Sequence, residues 1–66
     1  MASLRYDKMA KALYVRIRRG RVVKTEVLND SVFVDLDGEG RLIGIEVILP
    51  KDLPQEVASR IIAATT

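Results

Sequence analysis

The fold is decided by residues 32–49, VFVDLDGEGRLIGIEVIL, in which two runs of alternating apolar residues flank a glycine-rich segment. Alternation with a period of two is typical of strands, because successive side chains of a strand point to opposite faces of its sheet. The segment 38–41 predicts a turn that joins the two runs into a hairpin and keeps the aliphatic side chains on one face. The predicted cross-strand pairs are Leu36 with Ile43 and Val34 with Ile45.

The same alternation predicts further strands upstream of this hairpin. A three-residue loop at 18–20 joins the second strand to the third, and a two-residue turn at Asn29-Asp30 joins the third to the fourth. The predicted pairs are Ile17 with Arg21, Val15 with Val23, Val27 with Val32, Thr25 with Val34 and Val23 with Leu36. The predicted strands span about 3–6, 12–18, 21–28, 31–37 and 42–49, and they form an antiparallel β-meander of four to five strands.

A helix is predicted after the last strand. Pro50 ends that strand, and Asp52 followed by Gln55 has the spacing of a helix N-cap with its capping-box partner. The helix is expected to span about 53–64 and to pack on the aliphatic sheet face. The sequence therefore predicts a single α+β domain over residues 1–66.

The predicted sheet is too wide for one helix to cover. Five strands at about 4.8 Å spacing make a sheet on the order of 20 Å wide, whereas a helix is about 10 Å across. A chain of 66 residues with no Cys also lacks disulfides to stabilise a small core. We therefore expect a homodimer formed through the aliphatic sheet face and the helix, involving Val15, Val34, Ile45, Val57, Ile61 and Ile62.

Composition excludes several classes of function. With no Cys and no His, the chain has no disulfide framework and lacks the usual ligands of zinc and haem. The absence of His also removes the commonest general base near neutral pH. We expect no catalytic residues, no bound metal and no cofactor. The segment 1–12 carries charged residues rather than an apolar stretch, so we expect a cytoplasmic protein that does not enter membranes.

The face of the predicted sheet opposite the aliphatic one is polar. In the predicted register Lys24 lies opposite both Tyr14 and Asp35, while Gly44 lies opposite Asp35 and leaves a gap beside it. Phe33 lies opposite Glu46. One interpretation is a solvated face of cross-strand ion pairs, and the other is a surface that binds a partner. The candidate partner-binding residues are Tyr14, Arg16, Arg18, Arg19, Arg21, Asp35, Gly44 and Glu46.

Charge is unevenly distributed along the chain. Residues 1–25 contain eight Lys or Arg and one acid, giving +7, while residues 26–66 contain three basic and eight acidic residues, giving −5. The basic hairpin tip at Arg16–Arg21 suggests a nucleic-acid-binding module as an alternative function, because arginine pairs phosphates and a β-ribbon enters a groove. In the predicted meander, however, the basic half folds against the acidic half, so the net field is small.

Four segments resemble a known family. They are Tyr6-Asp7, Ala12–Ile17, Val34–Asp37 and, most specifically, the GRLIGIEV segment at 40–47. They resemble the DUF2283 family of small prokaryotic proteins of unknown function, over about Leu4 to Leu49. Lys11 departs from the family pattern, in which an acidic residue precedes Ala-Leu-Tyr.

The resemblance implies a compact β-meander domain with no established activity and, by analogy, an antitoxin-like role. The family residues carried over are Tyr14, Gly44 and Glu46, which fall on the polar face. The first interpretation is thus a non-enzymatic, dimeric protein-interaction module. A nucleic-acid-binding module is the second and an enzyme the third.

Overall fold

A computed structural model describes residues 3–65, and this part of the chain forms five strands followed by one helix. The elements are β1 (Ser3–Asp7), β2 (Ala12–Arg16), β3 (Lys24–Asn29), β4 (Val32–Leu36), β5 (Leu42–Ile48) and α1 (Gln55–Thr65). All strand pairs are antiparallel, in the order β1-β2-β5-β4-β3. The α+β class, the first strand and the C-terminal helix are confirmed. The sheet, however, is not a strict meander.

The departure from a meander lies in the partner of β2. This strand pairs with β5 and not with β3, so Val15 lies opposite Ile45. The predicted pairs of Val15 with Val23 and of Ile17 with Arg21 are therefore wrong. Alternation fixes which face a side chain occupies but suits any neighbouring strand equally well, so it could not select β5.

Residues 17–23 form a connection from β2 to β3 with no strand of its own, and the predicted strand 21–28 begins only at Lys24. The backbone N–H of Ile17 donates to the carbonyl of Ile43 at 2.8 Å. Gly20 lies directly on the Ile43 side chain, since a Cβ at Gly20 would come within 2.8 Å of its Cδ1. The connection thus covers Ile43, which is fully buried.

The turn between β3 and β4 differs by one residue from the prediction. Asn29 lies opposite Val32, so the turn residues are Asp30 and Ser31 and not Asn29-Asp30. The side-chain oxygen of Asn29 accepts the backbone N–H of Ser31 at 2.8 Å, which stabilises this turn. A bulge between Val27 and Asn29 accommodates the shift.

This shift turns β3 over relative to the prediction. Thr25 lies opposite Asp35 instead of Val34, and Val27 lies opposite Phe33 instead of Val32. Lys24 lies opposite Leu36, which corrects three predicted pairs: Lys24 with Tyr14, Lys24 with Asp35, and Val23 with Leu36. Thr25 and Val27 consequently share the face of Asp35.

The hairpin of β4 and β5 largely follows the prediction. The confirmed pairs are Val34 with Ile45, Phe33 with Glu46 and Asp35 with Gly44. Leu36 lies opposite Leu42 and not Ile43, because the register shifts between Asp35 and Leu36.

The helix begins two residues later than predicted. The backbone N–H of Leu53 donates to the Pro50 carbonyl in a preceding turn, and the carbonyl of Pro54 accepts the N–H of Ala58 at 3.0 Å. Within residues 3–65 the Asp52 side chain forms no capping bond, so the predicted cap is wrong.

Among the described strands, α1 lies against β1 alone. Tyr6 of β1 lines a recess together with Ala58 and Ile62, which places the helix on the aliphatic side of that edge strand. The prediction of a helix packed on the aliphatic sheet face therefore holds only at its edge.

The register defines two faces. We call one the aliphatic face; it includes Leu4, Tyr6, Leu13, Val15, Val32, Val34, Leu36, Ile43, Ile45 and Val47, and Lys24 and Glu26 of β3 lie on the same side. We call the other the polar face; it includes Ser3, Arg5, Tyr14, Arg16, Thr25, Val27, Phe33, Asp35, Gly44 and Glu46. Of the hydrophobic residues in 3–65, only Ala12 and Ile43 are fully buried. The chain is a thin slab of 40 × 26 × 15 Å.

Candidate functional site

The centre of the polar face is occupied by Tyr14, whose ring lies across Gly44 of the neighbouring strand. A Cβ at Gly44 would overlap the ring and hydroxyl of Tyr14, so only glycine leaves room for this arrangement. The predicted gap at Gly44 is therefore filled from within the chain. Glycine here allows a side chain of β2 to pass over β5 and reach β4.

The Tyr14 hydroxyl donates a hydrogen bond of 3.0 Å to Oδ2 of Asp35. The other carboxylate oxygen of Asp35 accepts a hydrogen bond of 2.7 Å from the hydroxyl of Thr25. Since these residues lie on β2, β4 and β3, the two bonds link strands on both sides of β5. We call this group of three side chains the polar brace.

The polar brace keeps Tyr14 protonated. Burial raises the pKa of Tyr14 above its usual 10.0, and the hydrogen bond to Asp35 and the negative charge of Asp35 raise it further. The positive charge of Arg16 has the opposite effect and is outweighed. A protonated phenol cannot accept a proton as a general base, and the Tyr14 proton is already donated to a carboxylate. The arrangement suits holding strands together better than proton transfer.

Glu46 is half-buried at the middle of the polar face, between Tyr14 and Phe33 in the register. The bonds of the polar brace do not include it. Residues 3–65 contain no group of three or more acidic side chains that could hold a metal ion.

The predicted basic hairpin does not form. Arg16 ends β2 on the polar face, whereas Arg18, Arg19 and Arg21 are exposed on the connection 17–23. The β-ribbon that would enter a nucleic-acid groove is thus absent, because β2 and β3 are not neighbours. A partner-binding role for these arginines stays a prediction.

Most basic side chains of residues 5–21 are not in ion pairs. In 3–65 the ion pairs within 4.0 Å are Lys24–Glu26, Arg41–Asp37, Arg41–Glu39 and Arg60–Glu56, and none involves a cation from residues 5–21. The strand β2, from the basic half of the sequence, nevertheless pairs along its whole length with β5, from the acidic half. The expectation that the basic half folds against the acidic half is confirmed by this pairing.

Asp37 organises the turn between β4 and β5. One of its oxygens accepts the backbone N–H groups of Glu39 and Arg41, each at 2.9 Å, and the other accepts Nε of Arg41 at 2.8 Å. The backbone bond from Arg41 is the main cause that lowers the pKa of Asp37 below its usual 3.8. Both carboxylate oxygens of Asp37 are thus used within the turn itself.

The family described as a protein of unknown function (DUF2283) matches residues 3–48. The chain belongs to the DUF2283 family. The matched segment ends at the last residue of β5, so it contains the whole DUF2283 sheet, with Tyr14, Asp35 and Gly44, and no part of α1. No curated protein and no solved structure matches the chain.

The described part of this DUF2283 chain contains no helix that is long and apolar enough to cross a bilayer. The polar brace was missed from the sequence because it depends on the pairing of β2 with β5. One signal was present: a glycine on a central strand, with Tyr and Asp at reachable positions on other strands.

Proposed function

We propose that this protein is a non-catalytic, homodimeric protein-interaction module that dimerises through its aliphatic face and α1. The observation that carries the proposal is its surface area. The chain exposes 5180 Å², whereas a folded monomer of 7.4 kDa exposes about 4200 Å² by the usual scaling with mass. The excess is close to the roughly 800 Å² that each partner buries in an interface of standard size.

The excess area has an identifiable location. Because α1 lies against β1 alone, it leaves the aliphatic side chains of the central strands only half-buried, including Val15, Val34 and Ile45. On the helix, Val57 is 41% exposed and Ile61 is half-buried. These are apolar surfaces that lack a covering layer within one chain.

A second copy supplies a layer of the right width. A two-fold axis that lies between two facing sheets, parallel to their strands, places the β1 side of one protomer over the β3 side of the other. Each helix then covers its own β1 and the open half of the partner's aliphatic face. Two helices of about 10 Å side by side match a sheet about 20 Å wide.

The basic side chains of β1 and β2 lie away from this interface. Arg5 and Arg16 belong to the polar face. The polar faces of both sheets point outward, where they are accessible to another protein.

The variant Val57→Asp tests the dimer, with Ser59→Asp as the matched control, because Ser59 is also exposed but lies about 200° around the same helix. A buried unpaired carboxylate is costly, so Val57→Asp should weaken the dimer at least about a hundredfold, or about 2.7 kcal/mol. Ser59→Asp should change it less than about threefold. Sedimentation velocity measures both, and equal dimerisation of all three proteins would contradict the proposed interface.

The non-catalytic and protein-binding parts of the proposal rest on the polar face. On that face the Tyr14 hydroxyl donates its proton to Asp35, and burial and this bond raise the pKa of Tyr14. The resemblance to DUF2283 implies, by analogy, an antitoxin-like role for this chain. Affinity purification from native cells, followed by mass spectrometry and nuclease treatment, tests this part. A stoichiometric protein partner that survives nuclease supports it, whereas co-purifying nucleic acid alone contradicts it.

A further inference from the structure

Beside the polar brace, four side chains of β1 and β2 form a compact block. Ser3 lies opposite Arg16 and Arg5 lies opposite Tyr14, and all four point to the polar face. Directly opposite side chains on antiparallel strands are about 5 Å apart, and diagonal neighbours about 7 Å. The four residues line a recess of about 260 Å³.

The two arginines bring unneutralised charge to this recess. In residues 3–65 no carboxylate lies within 4.0 Å of either Arg5 or Arg16. Arg16 is close enough to Tyr14 for its charge to act on the phenol. Two guanidinium groups on a diagonal repel each other, so a single anion placed between them gains from both.

The surroundings select a compact anion. Glu46 lies across from Tyr14 on β5, and Asp35 lies beyond Gly44 in line with Arg16, so the positive charge ends at the border of the recess. A phosphate backbone that continued along the face would meet these carboxylates. A lone carboxylate requires only the two guanidinium groups, and the Ser3 hydroxyl can donate to it as well.

Apolar side chains farther along the same face favour a protein ligand. Val27 is 65% exposed, and Phe33 is half-buried beside Glu46. We propose that the recess of Ser3, Arg5, Tyr14 and Arg16 binds the carboxylate of an acidic side chain in a partner protein. This inference rests on the proposed binding role of the polar face and is independent of the dimer interface.

The test uses the full chain and two fluorescein-labelled peptides of about ten residues, one with several glutamates and one with glutamines instead. Fluorescence anisotropy at low salt measures binding. The double variant Arg5→Gln/Arg16→Gln is compared with Lys8→Gln/Lys51→Gln, which has the same net charge but changes only exposed turn residues outside the recess. Circular dichroism verifies that both variants fold.

The expected result is binding of the glutamate peptide that weakens at least about tenfold in Arg5→Gln/Arg16→Gln and less than about threefold in the control. Equal binding of the two peptides, or equal losses in both variants, would overturn the inference. Tighter binding of a single-stranded oligonucleotide through the same two arginines would also overturn it. If native partners bind the wild type and Arg5→Gln/Arg16→Gln equally well, the proposed function stands and only this recess loses its role.

Discussion

The two faces of the sheet differ in whether their side chains find partners within the same chain. On the polar face, Tyr14 closes over Gly44 and bonds to Asp35, which also binds Thr25. On the aliphatic face, only Ile43 is fully buried, and the helix reaches no farther than β1. The three polar side chains at the centre of one face are thus bonded within one chain, while the aliphatic residues of the other face lack a covering layer. The comparison teaches that the hydrogen bonds between strand side chains lie on one face, and the uncovered aliphatic side chains, where we propose dimerisation, lie on the other.

The substitution Gly44→Ala should disturb the polar face most strongly. The new Cβ would overlap Tyr14, and overpacking of this kind typically costs about 1–3 kcal/mol of unfolding free energy. Gly38→Ala is the matched control, because a Cβ there meets only Val23 at an ordinary 3.8 Å. Urea denaturation compares the two variants at one protein concentration.

The same substitution in a protein that already carries Tyr14→Ala tests whether the tyrosine ring is the reason for glycine at position 44. In a Tyr14→Ala protein, Gly44→Ala should cost little, because the side chain that it displaces is gone. An equal loss of stability in both backgrounds would show that the tyrosine ring is not the reason for glycine at this position.

Removing only the Tyr14 hydroxyl measures what its hydrogen bond in the polar brace contributes to stability. Tyr14→Phe keeps the ring over Gly44 but loses the bond to Asp35, which should cost about 1 kcal/mol. Tyr6→Phe on the aliphatic face is the control for loss of a hydroxyl. The measurement is the urea midpoint, and no difference between the variants would contradict a stabilising bond.

Alkaline pH probes the same bond. Because the folded state raises the pKa of Tyr14, its contribution is complete below the ordinary value of 10.0 and is lost as pH rises through the folded-state pKa. The stability of the wild type should therefore fall more steeply above pH 10 than that of Tyr14→Phe. Parallel curves of unfolding free energy against pH would contradict this.

The smallest expected effect concerns the exposed turn at 37–41. Backbone and side-chain bonds from Arg41 lower the pKa of Asp37, so the stability it contributes is complete above pH 3.8 and is lost as pH falls through the lower folded-state pKa. In Asp37→Asn this acid-dependent loss should be slightly reduced. Glu39→Gln, in the same turn, is the control, and identical acid unfolding of the wild type and Asp37→Asn would contradict the assignment.

The positions of the strands along the sequence were predicted better than which strands lie next to each other in the sheet. Alternation located the strands, and the register of Val34 with Ile45 follows from keeping the aliphatic face intact. The same criterion placed β2 beside β3, because a short loop at Gly20 satisfied it equally well. The observed partner, β5, is the one on which a tyrosine can cross a glycine to reach Asp35. Such a contact depends on tertiary geometry that periodicity does not contain.

The face of β3 was mispredicted for a local reason. A bulge and the bond from Ser31 to the Asn29 side chain shift the turn by one residue, and a shift of one residue exchanges the two faces of a strand. Thr25 therefore joins Asp35 in the polar brace, and Glu26 moves to the aliphatic side. The expectation that one helix is too narrow for the sheet agrees with a helix that contacts β1 alone.

The central claim, that a second copy completes the aliphatic face, is tested most directly by sedimentation equilibrium of the wild-type chain at about 10 μM. The account predicts a mass of about twice 7.4 kDa, with dissociation and loss of folded structure coupled on dilution. A mass of 7.4 kDa for a protein that still unfolds cooperatively would contradict it.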